Sequence, residues 1–348
     1  YPKGTREDWE ELAAAGEDIA AKALKFAILQ QGGRAVDLNT HQMGVVAFDD
    51  GRLQQIQAVG LIREKLGEGY IVVGPGFKGV KPDGATKPLG RGATDLLAVA
   101  LGIPLNLDAE EVRIKKDVDG LAPVDPELVE DAIIFPDLDY AQASEVSDDT
   151  VIMERAIRLA RRWHVPIRVM RSPSIGPTTG GTLIWDASTP KELEPPERHI
   201  VTLKANRECS LVRVVGVANL QGQAHRVLDA VKDICLGTII QDQGSETATI
   251  SFTVENAKME EAVLLVRTVH EGDVEQRAGY SALTLADSRM KRGTGYAGRV
   301  SGALAKAGVN IGQIAAPSEK IFVAFAADQL QAAALAVADE FGLRKKAV

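Results

Sequence analysis

The 348-residue sequence predicts an α/β chain in two parts: a layered domain with helices on both faces of a sheet, then a pair of smaller repeated α/β modules. Three observations predict it. Short β-rich runs alternate with helical patterns from Trp9 to Ser172, as expected when buried parallel strands are joined by crossover helices. Glycine and proline then punctuate "GPTTGGTLIWDASTPKELEPP", Gly176 to Pro196, which marks a domain boundary. Beyond it the chain repeats itself. "SLVRVVGVANLQGQAHRVLDAVKDICLGTIIQDQGSETATISFTV" and "SALTLADSRMKRGTGYAGRVSGALAKAGVNIGQIAAPSEKIFVAF" share the order strand, glycine turn, helix, strand, loop, strand, with Gly222 and Gly295 at matching turns.

The elements follow in order. Trp9 to Gln31 carries Leu12, Ile19, Ala23, Phe26 and Leu29 at helical spacing and stops at Gly32-Gly33. "RAVDLN" and "YIVVGPGF" read as strands on either side of a helix from Gln57 to Leu66. A helix from Asp95 to Leu101, a strand "EVRIKKDV" from Glu111, a helix from Thr150 to Trp163 and a strand "PIRVMRS" from Pro166 complete the first part.

Composition narrows the class. With 45% hydrophobic and 25% charged residues and a mean hydropathy of -0.04, the chain is globular. No apolar run approaches the roughly 18 residues that span a bilayer, so no membrane segment is expected. A net charge of -8 and pI near 5.3 speak against a nucleic-acid surface, whose footprint is a basic stripe. Cys209 and Cys235 make no disulfide framework, and no Cys/His cluster has zinc spacing, which fits a reducing cytoplasm. His41, His164, His199, His225 and His270 are scattered, so neither a metal site nor a Ser-His-Asp triad is expected. The chain starts at Tyr1 without a methionine, so upstream sequence that is lost or not included is expected.

The stretch "KPLGRGATDLLAVALGIPL", Lys87 to Leu105, is the richest in chemistry. A helix start carries unpaired N–H groups and partial positive charge, so Thr94 or Asp95 serves as an ordinary cap. Capping does not require Arg91. An arginine on a glycine-flexed loop adds a planar fork of donors for a carboxylate or phosphate, which makes the same turn a candidate anion site.

In their order and near-regular spacing, "AAAGEDIAAKAL", "THQMGVV", "IVVGPGFKGVKPDG", "LGRGATDLLAVALG", "IKKDVDGLAPVDPELV" and "VPIRVMRS", followed by the repeat, resemble the aspartokinases over nearly the whole chain. The resemblance implies an amino-acid-kinase-like (carbamate-kinase-like) three-layer sandwich over residues 1–190, and two ferredoxin-like ACT domains at 200–275 and 276–348. It implies transfer of the ATP γ-phosphoryl group to the side-chain carboxylate of L-aspartate, with Mg²⁺ as counter-ion. By family pattern Arg91 grips a substrate carboxylate, while Asp95, beside Thr94, meets its amino group. Glu17 of "AGED" matches a second acidic contact, or is a first-turn helix acid favoured by the dipole. Lys116, Asp117 and Gly120 lie near adenosine; Asp119 belongs with them or is an ordinary Asp-Gly turn residue.

The chain also departs from the family. Nothing in it resembles the lysine-containing, glycine-rich opening strand, so the kinase fold is expected to be N-terminally incomplete. Ala122 and Glu127 stand where the family has an aromatic and an arginine, Thr150 where it has a lysine, and Met153-Glu154-Arg155 where it has His-Pro-Arg. All reduce attraction for a polyanion. Three readings result: an aspartate kinase, a catalytically dead homologue that keeps the amino-acid-sensing half, and an acidic amino-acid binding module. For the chain as written, the missing charge leads to an expectation of no detectable aspartyl phosphate.

ACT modules of the family pair across an interface and bind amino acids at the strand-to-helix turn, which implies a homodimer and an effector. The candidate effector residues are Asn219, Gln221, Gly222, Gln223, Ala224 and Gln241 in the first module. In the second they are Thr294, Gly295, Ser318 and Glu319, with the last two placed on a strand. Asn219 and Gln221 replace the family's aspartate and proline, which weakens the case for lysine and leaves threonine or no ligand open.

Overall fold

A 25-residue helix α1 (Arg6–Gln30) opens the described chain of the computed structural model, which covers residues 6–47, 53–56, 59–90, 92–105, 111–147, 151–172, 180–186 and 200–345. Strands β1 (Ala35–Asp37), β2 (Val45–Ala47) and β3 (Leu53–Ile56), helix α2 (Gly60–Gly67), and strands β4 (Ile71–Val73), β5 (Lys78–Val80) and β6 (Thr86–Pro88) follow. Helix α3 (Ala93–Leu105) runs past the expected end at Leu101 and carries Pro104 in its last turn, where the Arg63 guanidinium donates to the Pro104 carbonyl. After it come β7 (Val112–Lys116), β8 (Asp137–Asp139), α4 (Tyr140–Val146), α5 (Glu154–Trp163), β9 (Ile167–Arg171) and β10 (Thr182–Trp185).

Local chemistry explains these boundaries. Asp139 caps α4 in a reciprocal box: its side chain accepts from Gln142 N, and the Gln142 side chain accepts from Asp139 N. In α5, Ala156, Ile157 and Ala160 are buried while Arg155, Arg158, Arg161 and Arg162 face out. The helix ends at His164 in the left-handed conformation (φ 54), with two arginines in its last turn where the dipole favours cations.

By compactness the chain divides into two units, the first comprising residues 1–121 and 134–195, the second 122–133 and 196–348. In the first unit the described strands pair as three sheets: β1-β4, β3-β2-β5-β6, and β7-β9-β10-β8. The β1-β4 and β7-β9 pairs are parallel, as the alternation predicts. The hairpin β5-β6, closed across Lys81 to Ala85, is an addition that sequence periodicity did not reveal.

The second unit is built on one six-stranded sheet. Its elements are β11 (Val201–Ala218), α6 (Gln223–Ala230), β12 (Cys235–Gln243), β13 (Thr247–Glu255), α7 (Met259–Arg267), β14 (Val274–Asp287), α8 (Tyr296–Lys306), β15 (Ile311–Ala315), β16 (Lys320–Ala326) and α9 (Leu330–Phe341). The order is β12-β13-β11-β14-β16-β15. One core gathers Val212, Val214, Phe252 and Val254 with Val227 and Val266; the other gathers Leu283, Leu285, Val323 and Phe325 with Val300, Leu304 and Val337. Gly222 (φ 85) and Gly295 (φ 87) stand at the start of α6 and α8 in the same left-handed conformation, so the repeat is one of backbone geometry as well as of sequence.

Two features depart from the expected boundaries. Val201 and Leu203, at the start of β11, lie in the core of the second module, so the two modules interleave and do not meet at residue 275. The segment 122–133, expected in the kinase domain, belongs to the second unit. Val124 bridges in parallel to Leu203, Val124, Leu128, Val129 and Ala132 enter the second core, and Ile133 N donates to Leu343 O. Apolar periodicity marked these residues as buried without saying in which core.

Asp287, only 2% exposed, anchors the second module's turn: it accepts from Arg289 Nε and Nη2 and from the Tyr296 hydroxyl. Burial alone would raise its pKa, but the Arg289 hydrogen bonds outweigh it and hold the carboxyl below its ordinary value. A depressed carboxylate stabilises the fold fully above the unfolded value, about pH 4, and loses that contribution as pH falls through the folded value. D287N is therefore expected to cost about 1–3 kcal/mol at pH 7. In thermal melts across pH 7 to 3, its deficit relative to the parent should hold above about pH 5 and shrink below about pH 4.

Candidate active site

The start of α3 lies where the C-terminal ends of β4 and β7 converge. Asp95, in the first turn of α3, is 7% exposed, and its Oδ2 accepts from Lys116 Nζ at 3.1 Å and from Met153 N at 3.4 Å. A buried carboxylate needs such partners, because an unpaired one costs several kcal/mol. Lys116 closes β7 and lies a quarter exposed, which leaves its cation within reach of solvent or ligand.

Thr94 faces the loop after β4. A Cβ built on Gly76 would lie 2.6 Å from Thr94 Cγ2, so only glycine lets that loop approach the helix start. The Gly76 N–H in turn donates to Glu17 Oε2 at 2.9 Å. Next to it, Lys78 pairs with Asp18 at 2.5 Å. Glu17 thus reaches across from α1 to the same place as Thr94, rather than serving its own helix alone. Gly90 and Gly92 both take positive φ (86 and 69), and a Cβ at Gly92 would meet Met153 Cε at 3.0 Å. Arg91 between them lies outside the described residues, as does Thr150.

The structure brings together Glu17, Thr94, Asp95 and Lys116, and gives the other residues of the expected nucleotide set partners of their own. Asp117 is exposed. Asp119 is an ion-pair partner: Arg171 Nε donates to its Oδ1 at 2.7 Å and Nη2 to its Oδ2 at 3.2 Å, which raises the Arg171 pKa further. Gly120 (φ 152) is a packing glycine. A Cβ there would fall 2.6 Å from Thr182 Oγ1 and 2.8 Å from Ile134 Cγ2. That buried hydroxyl accepts from Leu121 N and donates to Phe135 O.

Sequence reasoning missed the partners of Glu17 and Lys116. The glycine of "GPGF" was the available signal for the first; none marked the second. Ala122 and Glu127 belong to the second unit, where Glu127 and Asp125 share Arg207 at 2.9 and 2.7 Å. Glu127, which stands where the family has an arginine, has Arg207 as its ion-pair partner. Glu154, in the first turn of α5, lies 3.5 Å from Arg158.

The expected effector residues fall on two dissimilar turns. Asn219 is engaged by the β12–β13 hairpin: its Nδ2 donates to Gly244 O and Ser245 O, and its Oδ1 accepts from Gln243 Nε2 at 2.6 Å. Gln221, Gly222 and Gln241 are exposed, while Gln223 and Ala224 are half-buried in the first turn of α6. Thr294 and Gly295 are exposed ahead of α8. Ser318 and Glu319 lie in the turn between β15 and β16 and not on a strand. There Glu319 O accepts from Asp287 N and its carboxylate pairs with Lys291.

Among the described residues no group of three or more His, Cys, Asp or Glu side chains is placed to hold a metal ion, and no helix is long and apolar enough to cross a membrane.

Residues 3–171 match the model of the amino acid kinase family, the class to which the fold of the first unit, with Asp95 at the start of α3 paired to Lys116 of β7, conforms. The aspartokinase of Corynebacterium glutamicum is 30% identical over 348 residues, covering 95% of this chain and 80% of that protein. The aspartokinase of Geobacillus stearothermophilus is 27% identical over 353 residues, with 99% and 84% covered. Among solved structures, Clostridium acetobutylicum aspartate kinase matches with a TM-score of 0.69 at 20% identity, over 95% of this chain and 75% of that one. E. coli aspartokinase III in complex with aspartate and ADP matches at 0.63 and 20%, over 96% and 75%. The chain belongs to the aspartokinase family.

If Gly120 is held by packing, G120A should destabilise the fold by about 1–3 kcal/mol through overpacking against Thr182 and Ile134. Urea denaturation of the variant measures the loss.

Proposed function

We propose that the chain is an aspartate kinase, transferring the γ-phosphoryl group of ATP to the side-chain carboxylate of L-aspartate. The observation that carries this reading is the meeting of Glu17 and Thr94 at Gly76 and of Lys116 with Asp95 at the start of α3, in a chain of the aspartokinase family. Aspartate offers an α-ammonium and two carboxylates. Glu17 and Asp95 supply negative charge for the ammonium, and Arg91, by family pattern, supplies the fork for a carboxylate.

The reaction needs little covalent help. The attacking group is a carboxylate, already ionised at neutral pH, so no base has to remove a proton. Its oxygen bonds to the γ-phosphorus as the bond to the bridging oxygen of ADP breaks, and charge spreads over the phosphoryl oxygens. Positioning and positive charge lower that barrier. Lys116 is the described cation nearest Asp95, and we assign it to the phosphoryl group; its 3.1 Å contact with Asp95 fixes its position before the nucleotide arrives. Mg²⁺ enters with ATP as its counter-ion. The regulatory half is proposed to respond to an amino-acid effector, threonine or lysine, and to pair its modules in a homodimer.

L-aspartate is expected to protect the chain against thermal unfolding, and D95N to weaken that binding about 10-fold, or roughly 1.4 kcal/mol. Hydroxamate formation from L-aspartate, ATP and Mg²⁺ should be measurable in the parent chain, against the expectation drawn from the missing charge, because Lys116 stands at Asp95 as a cation for the phosphoryl group. In K116A it should fall about 10² to 10³-fold, the usual cost of one lost electrostatic donor. Protection without any turnover would favour the catalytically dead alternative, and unchanged protection in D95N would return the α3 turn to simple capping.

A further inference from the structure

Lys116 has a second cation beside it on the neighbouring strand. β7 and β9 run parallel, and their register sets Lys116 opposite Arg171. Register partners on these strands share a face. Arg113 and Arg168 both bond Glu111, at 2.8 and 2.7 Å, and Lys115 Nζ donates to Met170 Sδ at 3.6 Å. Ile114 and Val169 are buried on the opposite face, and two residues further on that face ends in Lys116 and Arg171, on strands about 4.8 Å apart.

Two cations so placed repel each other, and each is balanced by a carboxylate of its own. Lys116 has Asp95 and Arg171 has Asp119. The arginine's pairing is side-on: Nε and Nη2 donate to Asp119, while Nη1 has no partner among the described residues. Arg171 is 28% and Lys116 25% exposed, so both remain open to a ligand. The position selects that ligand. The C-terminal ends of parallel strands are where α/β sheets bind small molecules, and two cations on adjacent strands suit a run of linked phosphates. Arg171 pairs with none of Glu17, Thr94 and Asp95, the residues that serve aspartate; its partner lies in the Asp117–Gly120 turn, expected beside the nucleotide.

We infer that Arg171 binds the phosphate chain of ATP next to the phosphoryl group held by Lys116, with Nη1 donating to the β-phosphate. The inference rests on the aspartate-kinase reading. When the γ-phosphoryl group passes to the aspartate carboxylate, the electron pair of the broken bond stays on the bridging oxygen of ADP, and a guanidinium at the β-phosphate meets that charge. Asp119 fixes the guanidinium before the nucleotide arrives, as Asp95 fixes Lys116. Together the two cations offset the positive charge lost at Thr150, where the family has a lysine.

The test is R171Q in the full chain, with binding measured by calorimetry. ADP is expected to bind R171Q about 10- to 100-fold more weakly than the parent, the cost of a lost hydrogen bond between charged groups. Adenosine, which has no phosphate, should bind both alike. R171K keeps the charge without the fork and should recover part of the loss. In hydroxamate assays R171Q should raise KM for ATP and lower kcat, with KM for L-aspartate unchanged. An R171Q chain that binds ADP as the parent does would overturn the inference and leave the kinase reading standing. So would an equal loss of ADP and adenosine, which marks the pair with Asp119 as structural. A parent chain that binds L-aspartate but no ADP would overturn the kinase reading, and this inference with it.

Discussion

A buried carboxylate that must be paired organises the first unit. Asp95 lies at the start of α3, where a charge away from water is tolerable only with donors around it, and it takes them from Lys116 at the end of β7 and from the backbone before α5. Three elements distant in sequence are thereby brought to one point. The contact between Gly76 and Thr94 adds a fourth, the loop after β4, and the Glu17 bond to Gly76 N adds α1. The glycines at 76 and 92 are the complement of this convergence: where polar groups pull elements so close, no Cβ fits between them. The candidate site is thus tied to five elements of the first unit, which suits a reaction that depends on positioning.

How much of this could be read from the sequence depends on the kind of information involved. The parallel pairing of β1 with β4 and of β7 with β9 follows from alternation, and the equivalence of Gly222 and Gly295 follows from the repeat. Periodicity reports which face of an element is buried, not which element buries it. Val124, Leu128 and Val129 look equally apolar whichever core receives them, so their place in the second unit was not legible. The same limit hid the shared use of β11, whose first residues serve one module and whose last residues serve the other. Of the site, Glu17, Thr94 and Asp95 were found through family pattern. That Lys116 meets Asp95 was not, because two charged residues on separate elements carry no mark of their encounter.

Substitutions relative to a family have meaning only with the new residue's neighbours known. Glu127 looked like a reversed charge against a polyanion, yet its carboxylate shares Arg207 with Asp125 in the second unit. Asn219 looked like a neutralised effector contact. Its amide instead spends both donors and its acceptor on the β12–β13 hairpin, so the first turn is tied down by its own strands. In the second module the equivalent anchoring is done by Asp287, through Arg289 and Tyr296, which leaves Thr294 and Gly295 open to solvent. The two turns share a backbone conformation and differ in what holds them.

That difference matters because the modules are not independent bodies on a tether. β11 and β14 lie side by side at the centre of one sheet, and each contributes to both cores. The register of the β11–β14 pairing shifts around Cys209, between the half that faces one module and the half that faces the other. Cys209 itself is fully buried there, and burial pushes its thiol up to about 11, so it acts as a small apolar residue and not as a nucleophile. A bulge between two packed halves concentrates twist and disrupted pairing at one point, while the strands on either side remain committed to their cores. A ligand that favoured one arrangement of either turn would therefore bias strands that the other module also needs, and coupling between the two modules follows from shared strands without any contact between their ligands.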